Sequence, residues 1–358
     1  MNANTWVIIA LALLAGCDAN DAPAPGYAGL NQNAQGFAQV TPGRTFVFPQ
    51  DHGAHPDYRI EWWYVTANLK ADDGQAFGVQ WTLFRNALAP GAEASGWSHR
   101  SLWLGHAALT TASQHFVAQA LARGGIGQAG VNPSPFKAWI DDWQMQSLAS
   151  PGQDPAGNLL LSARGDDFSY RLHLSTAQAP VLQGQQGYSQ KSDQGQASYY
   201  YSQPFYQASG EVSSGGKTWH VTGHAWLDRE WSSQPLAAQQ TGWDWFSLHL
   251  ADGQQVMLYR LRYANGTQHL SGNWISADGR NQSLGSEAIT LTPTASHRVQ
   301  GRSVPVRWQV QVPSKGLDVT LQALNPNAWM NVSPPYWEGP VQLNGSTRGE
   351  GYLEMTGY

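Results

Sequence analysis

Two stretches of this 358-residue chain combine ionisable side chains with tryptophans more densely than any other part of it. Residues 51–64 read D-H-G-A-H-P-D-Y-R-I-E-W-W-Y, and residues 223–262 include both G-H-A-W-L-D-R-E-W and G-W-D-W-F. A carboxyl group among aromatic rings loses hydration, which raises its pKa and can keep it protonated at neutral pH. Such residues are suited to donating a proton to a bound apolar molecule.

Residues 222–230 have the composition of a β-strand, in which side chains alternate between two faces. One face then carries Thr222, His224, Trp226, Asp228 and Glu230, and the other carries Gly223, Ala225, Leu227 and Arg229. If the first face points into an apolar cavity, Asp228 or Glu230 is a candidate acid. If it is a structural cluster, these carboxylates pair with Arg229 or Arg262 or cap a loop. The sequence leaves both interpretations open.

The tripeptide at residues 243–245 places an acid between two indoles. If it lies in a strand, Trp243 and Trp245 form an aromatic face, and Asp244 points to the opposite face. Asp244 is therefore a third candidate acid, and the two indoles are candidate ligand contacts. A second aromatic wall is expected from three consecutive residues of the first stretch, Trp62, Trp63 and Tyr64.

The loop before this second wall holds two histidines, His52 and His55, close to Glu61. Two histidines and a carboxylate could ligate zinc, but no regular strand or helix spacing supports such a site here. We expect no metal. Instead, the loop is expected to cover a barrel mouth, with His55 near the ligand and with Glu61 in a hydrogen-bonded pair with Arg85.

The composition indicates a turn-rich β protein. Only 13% of the residues are charged, and the chain has 38 Gly, 20 Pro and 17 Trp, a combination typical of broad sheets joined by tight turns. The net charge of −5 and the lack of basic runs argue against a nucleic-acid partner. The sequence also lacks G-x-S-x-G, H-E-x-x-H and a Gly-rich dinucleotide loop, so neither a serine nucleophile nor a cofactor is predicted.

A repeat relates the two halves of the chain. W-W-Y-V-T-A-N-L, D-G-Q and L-F-R in residues 62–85 match W-D-W-F-S-L-H-L, D-G-Q and L-R in residues 243–262. Each copy reads as a β-hairpin, and no segment has a sustained helical period. The sequence therefore predicts an all-β fold with two copies of one antiparallel domain, at residues 45–234 and 235–358, each closed as a sandwich or barrel.

The first residues resemble a bacterial lipoprotein signal. An apolar run over residues 6–14 is too short to span a membrane, and L-A-G-C at residues 14–17 is similar to a lipobox. This resemblance implies that residues 1–17 hold a signal peptide ending at a lipidated Cys17, which anchors the protein on the periplasmic side of the membrane. Residues 18–44 then form a flexible tether, and Asp18 resembles the signal for retention in the inner membrane.

Four motifs together resemble the AttH-like proteins. They are H-P-D-Y-R-I-E-W-W-Y at residues 55–64, G-H-A-W-L-D-R-E-W at 223–231, G-W-D-W at 242–245, and Y-W-E-G-P with R-G-E-G-Y-L-E-M-T-G-Y at 336–358. This family is grouped with hydroxyneurosporene synthase (carotenoid 1,2-hydratase) and often labelled as secreted hydrolases. The resemblance implies two lipocalin-like antiparallel β-barrel domains in tandem and a partnership with the permease subunits of an ABC export system.

For the hydratase branch, the resemblance implies addition of water to an alkene. An acid protonates the double bond, aromatic faces stabilise the carbocation, and water is captured. That branch uses a histidine and a tryptophan two residues apart on a strand, which His224 and Trp226 match. It also uses a tyrosine and an aspartate further along. Asp244 is the candidate for this aspartate, but no tyrosine stands beside it.

Three functions are consistent with these features. The first is a membrane-anchored lipoprotein that binds a lipid or isoprenoid in a tryptophan-rich barrel cavity and serves an exporter. The second is a cofactor-independent hydratase or isomerase that uses Asp228, Glu230 or Asp244 as its acid. The third is an assembly subunit that acts through its surface without a small ligand. The first two require one cavity lined by four ionisable residues, Glu61, His224, Asp228 and Asp244.

Overall fold

The computed structural model describes residues 34–91 and 94–358. The predicted signal peptide, the lipidated Cys17 and Asp18 lie outside this part. In the described residues the regular structure is β-strand, with four short 3-10 turns at Gln50–His52, Gly96–Ser98, Ser286–Ala288 and Pro313–Lys315. No helix in the same residues has the length and hydrophobicity that a membrane crossing requires.

The N-terminal sheet contains thirteen antiparallel strands. They are β1 (Ile60–Ala71), β2 (Ala76–Ala87), β3 (Ser101–Thr110), β4 (His115–Arg123), β5 (Ala129–Pro133), β6 (Phe136–Ile140), β7 (Trp143–Ser147), β8 (Asn158–Arg164), β9 (Phe168–Ser175), β10 (Val181–Leu182), β11 (Tyr188–Gln190), β12 (Ala197–Ser214) and β13 (Lys217–Ser232). The main order is β4-β3-β2-β1-β13-β12-β9-β8-β7-β6-β5. The sheet curls until β6 contacts β2, β3 and β4, which makes a nearly closed barrel.

The C-terminal sheet contains ten antiparallel strands and forms a curled half-barrel. They are β14 (Gln240–Leu250), β15 (Gln255–Tyr263), β16 (Gln268–Ile275), β17 (Asn281–Leu284), β18 (Thr290–Val299), β19 (Arg302–Val312), β20 (Leu317–Ala323), β21 (Trp329–Met330), β22 (Tyr336–Gly345) and β23 (Gly349–Met355). The main order is β17-β16-β15-β14-β23-β22-β20-β19-β18.

The two sheets share a strand arrangement. In each, the first strand lies between its hairpin partner and the last strand: β1 pairs with β2 and β13, and β14 pairs with β15 and β23. This agrees with the repeat found in the sequence. The prediction of an all-β fold with two antiparallel sheets in tandem is confirmed.

Several local features shape the N-terminal sheet. Asp141 adopts a left-handed conformation with φ of 51° and turns the chain between β6 and β7. Residues 179–197 contain the short strands β10 and β11. The end of the predicted tether is also bound to the N-terminal sheet, because the Thr41 amide donates to the Tyr199 hydroxyl at 3.0 Å.

Strand alternation gives β1 two different apolar faces. Trp63 and Val65 point into the core of the N-terminal sheet, whereas Tyr64 packs against Trp245 of the C-terminal sheet. The two sheets approach closely beside this contact. A Cβ on Gly78 would lie 2.5 Å from Cγ of Pro340, so this position needs glycine. The interface between the sheets is therefore a packed layer of its own.

Candidate functional site

A cavity of about 420 Å³ opens in the layer between the two sheets. Its aromatic and aliphatic lining comes from Ile60, Trp62, Tyr64, Phe84, Leu102, Leu104, Leu121, Tyr200, Leu236, Trp243, Trp245, Tyr259, Leu261 and Tyr336. Its ionisable lining comes from His106, Lys191, Asp228, Glu230 and Glu354. The sequence placed the cavity inside a barrel, whereas this cavity lies between the sheets and the interior of the N-terminal sheet holds a hydrophobic core.

Asp228 reaches this cavity from β13 and is almost completely buried. One of its carboxyl oxygens accepts hydrogen bonds from Oγ of Ser202 at 2.5 Å and from Nε1 of Trp226 at 2.7 Å. The Tyr200 hydroxyl is a further partner. Burial raises the pKa of Asp228 to about 7, although these donors partly offset the shift. Near neutral pH both protonation states of this carboxyl are therefore populated.

Glu230, two residues further on the same face, has a different environment. Nζ of Lys191 lies 3.0 Å from its Oε1, and the Ser198 hydroxyl donates to the same oxygen. Lys191 is itself buried, and its ammonium group lies 4.5 Å from the centre of the Tyr259 ring. Burial disfavours the charged amine, but Glu230 outweighs this effect and raises the pKa of Lys191. Glu230 is thus held in an ion pair.

Two more glutamates lie on β22 and β23. Glu354 lines the cavity and accepts a hydrogen bond from Nε1 of Trp243 at 2.8 Å. Burial raises the pKa of Glu354 to about 8, and the nearby Asp228 and Glu230 add to this shift. Glu338 lies behind the cavity wall, where it accepts a hydrogen bond from the Tyr64 hydroxyl. Burial and the charge of Glu354 raise the pKa of Glu338 well above its usual value.

Cations are scarce around these acids. Of the lysines and arginines in the described chain, Lys191 alone lines the cavity, and it is paired with Glu230. His106 also lines the cavity, with Nδ1 at 3.0 Å from the Tyr336 hydroxyl, but burial lowers its pKa to about 3 and keeps it neutral. Asp228, Glu338 and Glu354 therefore have hydrogen-bond donors around them but no ion-pair partner of their own among the described residues.

Several predicted site residues do line this cavity. Trp62, Tyr64, Trp243 and Trp245 form its aromatic wall, and Asp228 and Glu230 are among its acids. Trp226 packs in the same layer and donates to Asp228. The predicted alternation along residues 222–230 is confirmed, because Leu227 of the opposite face lies in the core of the N-terminal sheet.

The expected cluster of Glu61, His224, Asp228 and Asp244 around one cavity was wrong, since only Asp228 lies there. Glu61 faces into the N-terminal sheet, where it pairs with Arg85, as predicted, and also with Arg229. Burial alone raises the pKa of Glu61, but the two guanidinium groups outweigh it and hold the pKa well below its usual value.

Strand geometry places two further predicted site residues, Asp244 and His224, outside the cavity. Asp244 points away from Trp243, as expected, and this direction takes it into the C-terminal sheet, with its carboxylate 2.6 Å from Arg260 and 2.5 Å from Arg262. His224 lies where β13 reaches solvent, with 47% of its side chain exposed and Glu350 at 3.1 Å.

His55 is likewise outside the cavity. Its ring stacks on Trp231 at 3.9 Å, and Nδ1 lies 3.2 Å from Glu61. His52 contacts the Tyr201 hydroxyl at 2.7 Å and Asp154 at 3.1 Å, so the two histidines have different partners. Trp63 is also a core residue rather than a ligand contact. No group of three potential metal ligands occurs within residues 34–91 and 94–358.

Glu354, Glu338 and Lys191 are the site residues that the sequence did not identify. The two glutamates belong to the motifs Y-W-E-G-P and G-Y-L-E-M, in which an acid stands among aromatic and apolar residues of a strand. That pattern is the same signal that singled out Asp228, so it could have found them. Lys191 follows the short strand β11 in a Gln- and Gly-rich segment, which carries no comparable signal.

Comparison with known proteins identifies the family to which this chain belongs. The chain matches the family profile described as AttH-like over residues 39–358. A crystal structure of a protein assigned to AttH from Nitrosomonas europaea is 32% identical in sequence, with a TM-score of 0.79, and the match covers 90% of this chain and 100% of that one. No curated protein matches the sequence.

A second solved structure, kievitone hydratase from Nectria haematococca, is similar in fold. Its TM-score is 0.66 at 14% sequence identity, and the match covers 90% of this chain and 96% of that one. At this level of identity the similarity concerns the fold alone.

Proposed function

The chain belongs to the AttH-like family, and from that premise we propose that it binds an apolar alkene between its two sheets and protonates it, as a cofactor-independent hydratase or isomerase. One observation carries this proposal. Asp228 and Glu354 line an aromatic cavity, Asp228 is almost completely buried and Glu354 is half-buried, and neither has an ion-pair partner of its own among the described residues. A carboxyl group in such surroundings stays protonated near neutral pH, as an acid catalyst requires.

Glu354 is the proposed acid. Its carboxyl proton forms a new C–H bond with one alkene carbon as the π bond breaks, which leaves a positive charge on the neighbouring carbon. The faces of Trp62 and Trp245 in the cavity wall attract this charge. Water then forms a C–O bond with the cationic carbon and releases a proton to the ionised form of Asp228. The proton lost by Glu354 and the proton gained by Asp228 balance.

The fold is compatible with this chemistry, since kievitone hydratase, an enzyme named for adding water to its substrate, shares it. An isomerase would follow the same first step, with Asp228 removing a proton from carbon instead of from water. Neither route needs a cofactor, because the substrate carbon, water and two carboxyl groups supply every atom that moves.

The sequence features outside the cavity extend the proposal. A lipid on Cys17 would hold the protein at the periplasmic face of the inner membrane, where apolar lipids or isoprenoids are available. Permease subunits of an ABC export system are the proposed partners there. Mass spectrometry of the membrane-bound protein for an acylated Cys17, with co-purification from solubilised membranes, tests both points.

The first experiment asks whether the cavity binds an apolar molecule. The protein is expressed without residues 1–17, and native mass spectrometry is followed by extraction of bound compounds. A reproducible lipid or isoprenoid is expected. A protein that carries nothing, and that binds no member of an added isoprenoid panel led by farnesol, would favour the assembly subunit that acts through its surface.

The second experiment tests proton transfer. The panel is incubated with the protein in heavy water, and products are examined for deuterium on carbon and for the mass of added water. We expect Glu354→Gln to lower turnover by about 10² to 10⁴-fold while binding is kept, since general acid catalysis is worth that much. Asp228→Asn should also lose turnover, and Glu350→Gln, a partly exposed carboxyl on the same strand, should not. Ligand bound without any deuterium in the wild type would point to a carrier.

A further inference from the structure

Glu338 and Glu354 stand directly opposite each other on neighbouring strands. Their Cα positions are partners in the antiparallel register of β22 and β23, so both side chains leave the same face of the C-terminal sheet. Like charges in this position are destabilising, and Glu338 is buried while Glu354 is half-buried. Two ionised glutamates are therefore incompatible with this geometry, and the pair retains a proton.

Tyr64, from the opposing N-terminal sheet, joins the two. Its hydroxyl donates to Oε1 of Glu338, and its interaction with Glu354, which stands opposite Glu338, lowers the pKa of Glu354. A phenol has one hydrogen and can donate to only one carboxyl at a time. The second carboxyl can bond to the same oxygen only by donating its own proton. The three groups thus form a directional chain, Glu354–H to Tyr64 and Tyr64–H to Glu338, or the reverse.

The ends of this chain are not equivalent. Glu354 lines the cavity and is fixed by Nε1 of Trp243, whereas Glu338 lies behind Tyr64 and Tyr336. The Tyr336 hydroxyl is a further hydrogen-bond partner of the Glu338 carboxyl, but Oε2 of Glu338 is buried and has no partner at hydrogen-bond distance among the described residues. One end therefore meets a ligand, and the other has a free position at which a proton can reside.

We propose that Glu338, Tyr64 and Glu354 form a proton relay in which Glu338 stores the proton that reloads Glu354. The relay rests on the proposed function, in which Glu354 protonates the ligand, and it starts from a resting state in which Glu338 and Glu354 each carry a proton. After that step the Tyr64 hydrogen moves to the Glu354 carboxylate, and the Glu338 proton moves to the Tyr64 oxygen. Glu354 is again an acid, Tyr64 is again a phenol, and Glu338 is ionised. The proton that Asp228 takes from the captured water then passes through water in the cavity to the ionised Glu338, which restores the resting state.

The shared proton is tested without any substrate. Infrared titration of the carboxyl bands is compared among the wild type, Glu338→Gln, Tyr64→Phe and the control Glu350→Gln. In the wild type the pair should titrate in two coupled steps. We expect Glu338→Gln to leave one step at a lower pH, Tyr64→Phe to shift the band of Glu354, and Glu350→Gln to change neither. A Glu354 band that is identical in all four proteins overturns the relay, whatever the activity.

The reloading step is tested by turnover. Single-turnover and steady-state rates are measured in heavy water with the panel member that the wild type converts. We expect Glu338→Gln to keep the first turnover, and we expect Glu338→Gln and Tyr64→Phe each to lower the steady-state rate by about tenfold or more, with no further loss in the double variant. Unchanged steady-state rates in both overturn the relay but leave the proposed function intact. A wild type without turnover overturns the proposed function, and reloading with it.

Discussion

This protein buries two kinds of carboxyl group, and they differ in what surrounds them. Glu61 in the N-terminal sheet lies against Arg85 and Arg229, and Asp244 in the C-terminal sheet lies against Arg260 and Arg262. Around the cavity, Asp228, Glu338 and Glu354 meet hydroxyl groups, indoles and one another. Carboxyl groups shielded from solvent therefore reach opposite outcomes: charge neutralisation by arginines in the sheets and retained protons between the sheets.

The arginine-paired sites repeat with the fold. Glu61 stands directly opposite Arg85 in the register of β1 and β2, and Asp244 stands directly opposite Arg260 in the register of β14 and β15. Each site thus lies in the equivalent hairpin of its sheet. The cavity acids have no such symmetry, because they come from β13 of one sheet and from β22 and β23 of the other. The repeated pairs stabilise each sheet, and the unpaired acids belong to the interface.

The two kinds of carboxyl have opposite effects on stability as pH changes. The pKa of Glu61 is lowered in the folded protein, so its stabilisation is present above the unfolded pKa and is lost as pH falls through the folded pKa. The pKa values of Asp228 and Glu354 are raised, so their contribution is present at low pH and is lost as pH rises towards about 7 and 8.

The largest expected effect comes from breaking an arginine-paired site. Glu61→Gln leaves two buried guanidinium groups without their counter-charge, and we expect a loss of about 3–5 kcal/mol in the free energy of unfolding. Urea denaturation measures this loss. Glu211→Gln, at an exposed position of the same sheet, should change stability by less than about 0.5 kcal/mol. Equal effects of the two variants would contradict a structural role for Glu61.

Asp244→Asn sharpens the comparison between the two sheets. Arg260 and Arg262 remain 11% and 19% exposed, whereas Arg85 and Arg229 are fully buried. The arginines left behind in the C-terminal sheet can reach water more easily, so their desolvation cost is smaller. We expect a loss of about 2–3 kcal/mol, below that of Glu61→Gln. The reverse order, measured in the same urea titration, would show that burial does not set the cost.

The next effect concerns the pH dependence of stability. Unfolded chains release the protons of Asp228 and Glu354 near pH 4, but the folded protein holds them to about pH 7 and pH 8. Stability therefore falls between these limits, by up to about 1.4 kcal/mol per pH unit for each group. Asp228→Asn and Glu354→Gln should each reduce this pH dependence of stability by up to about 1.4 kcal/mol per pH unit, which is the contribution of one proton. Urea midpoints measured across this range check it, and a slope that neither variant changes would refute the raised pKa values.

The smallest effect tests a single donor. Trp243→Phe keeps an aromatic ring in the cavity wall but removes the Nε1 hydrogen bond to Glu354. Since that bond favours the ionised form, its loss should raise the pKa of Glu354 by about 0.5–1 unit. Infrared titration of the carboxyl band measures the shift. Trp62→Phe, which changes another indole of the same wall, serves as the control and should leave this pKa unchanged.

Some of the site was open to prediction because strand alternation is a local property. The separation of Trp243 from Asp244, and of Asp228 from Arg229, followed from the two-residue period and is seen in the structure. The error was in deciding which face of each strand points into the cavity and which points into the interior of a sheet. A buried carboxylate faces a sheet interior as readily as a cavity when an arginine lies opposite it, and the position of that arginine depends on the pairing of distant strands.

The sequence by itself determined the all-β class, the repeated domain and the face on which each side chain lies, because these depend on residues a few positions apart. Only the tertiary structure decided which acids are neutralised and which remain protonated. Tyr64 and Glu338 are separated by 274 positions and meet only because two sheets pack against each other. The pKa of a carboxyl group depends on the charges and the solvent within a few ångströms of it, and packing fixes both.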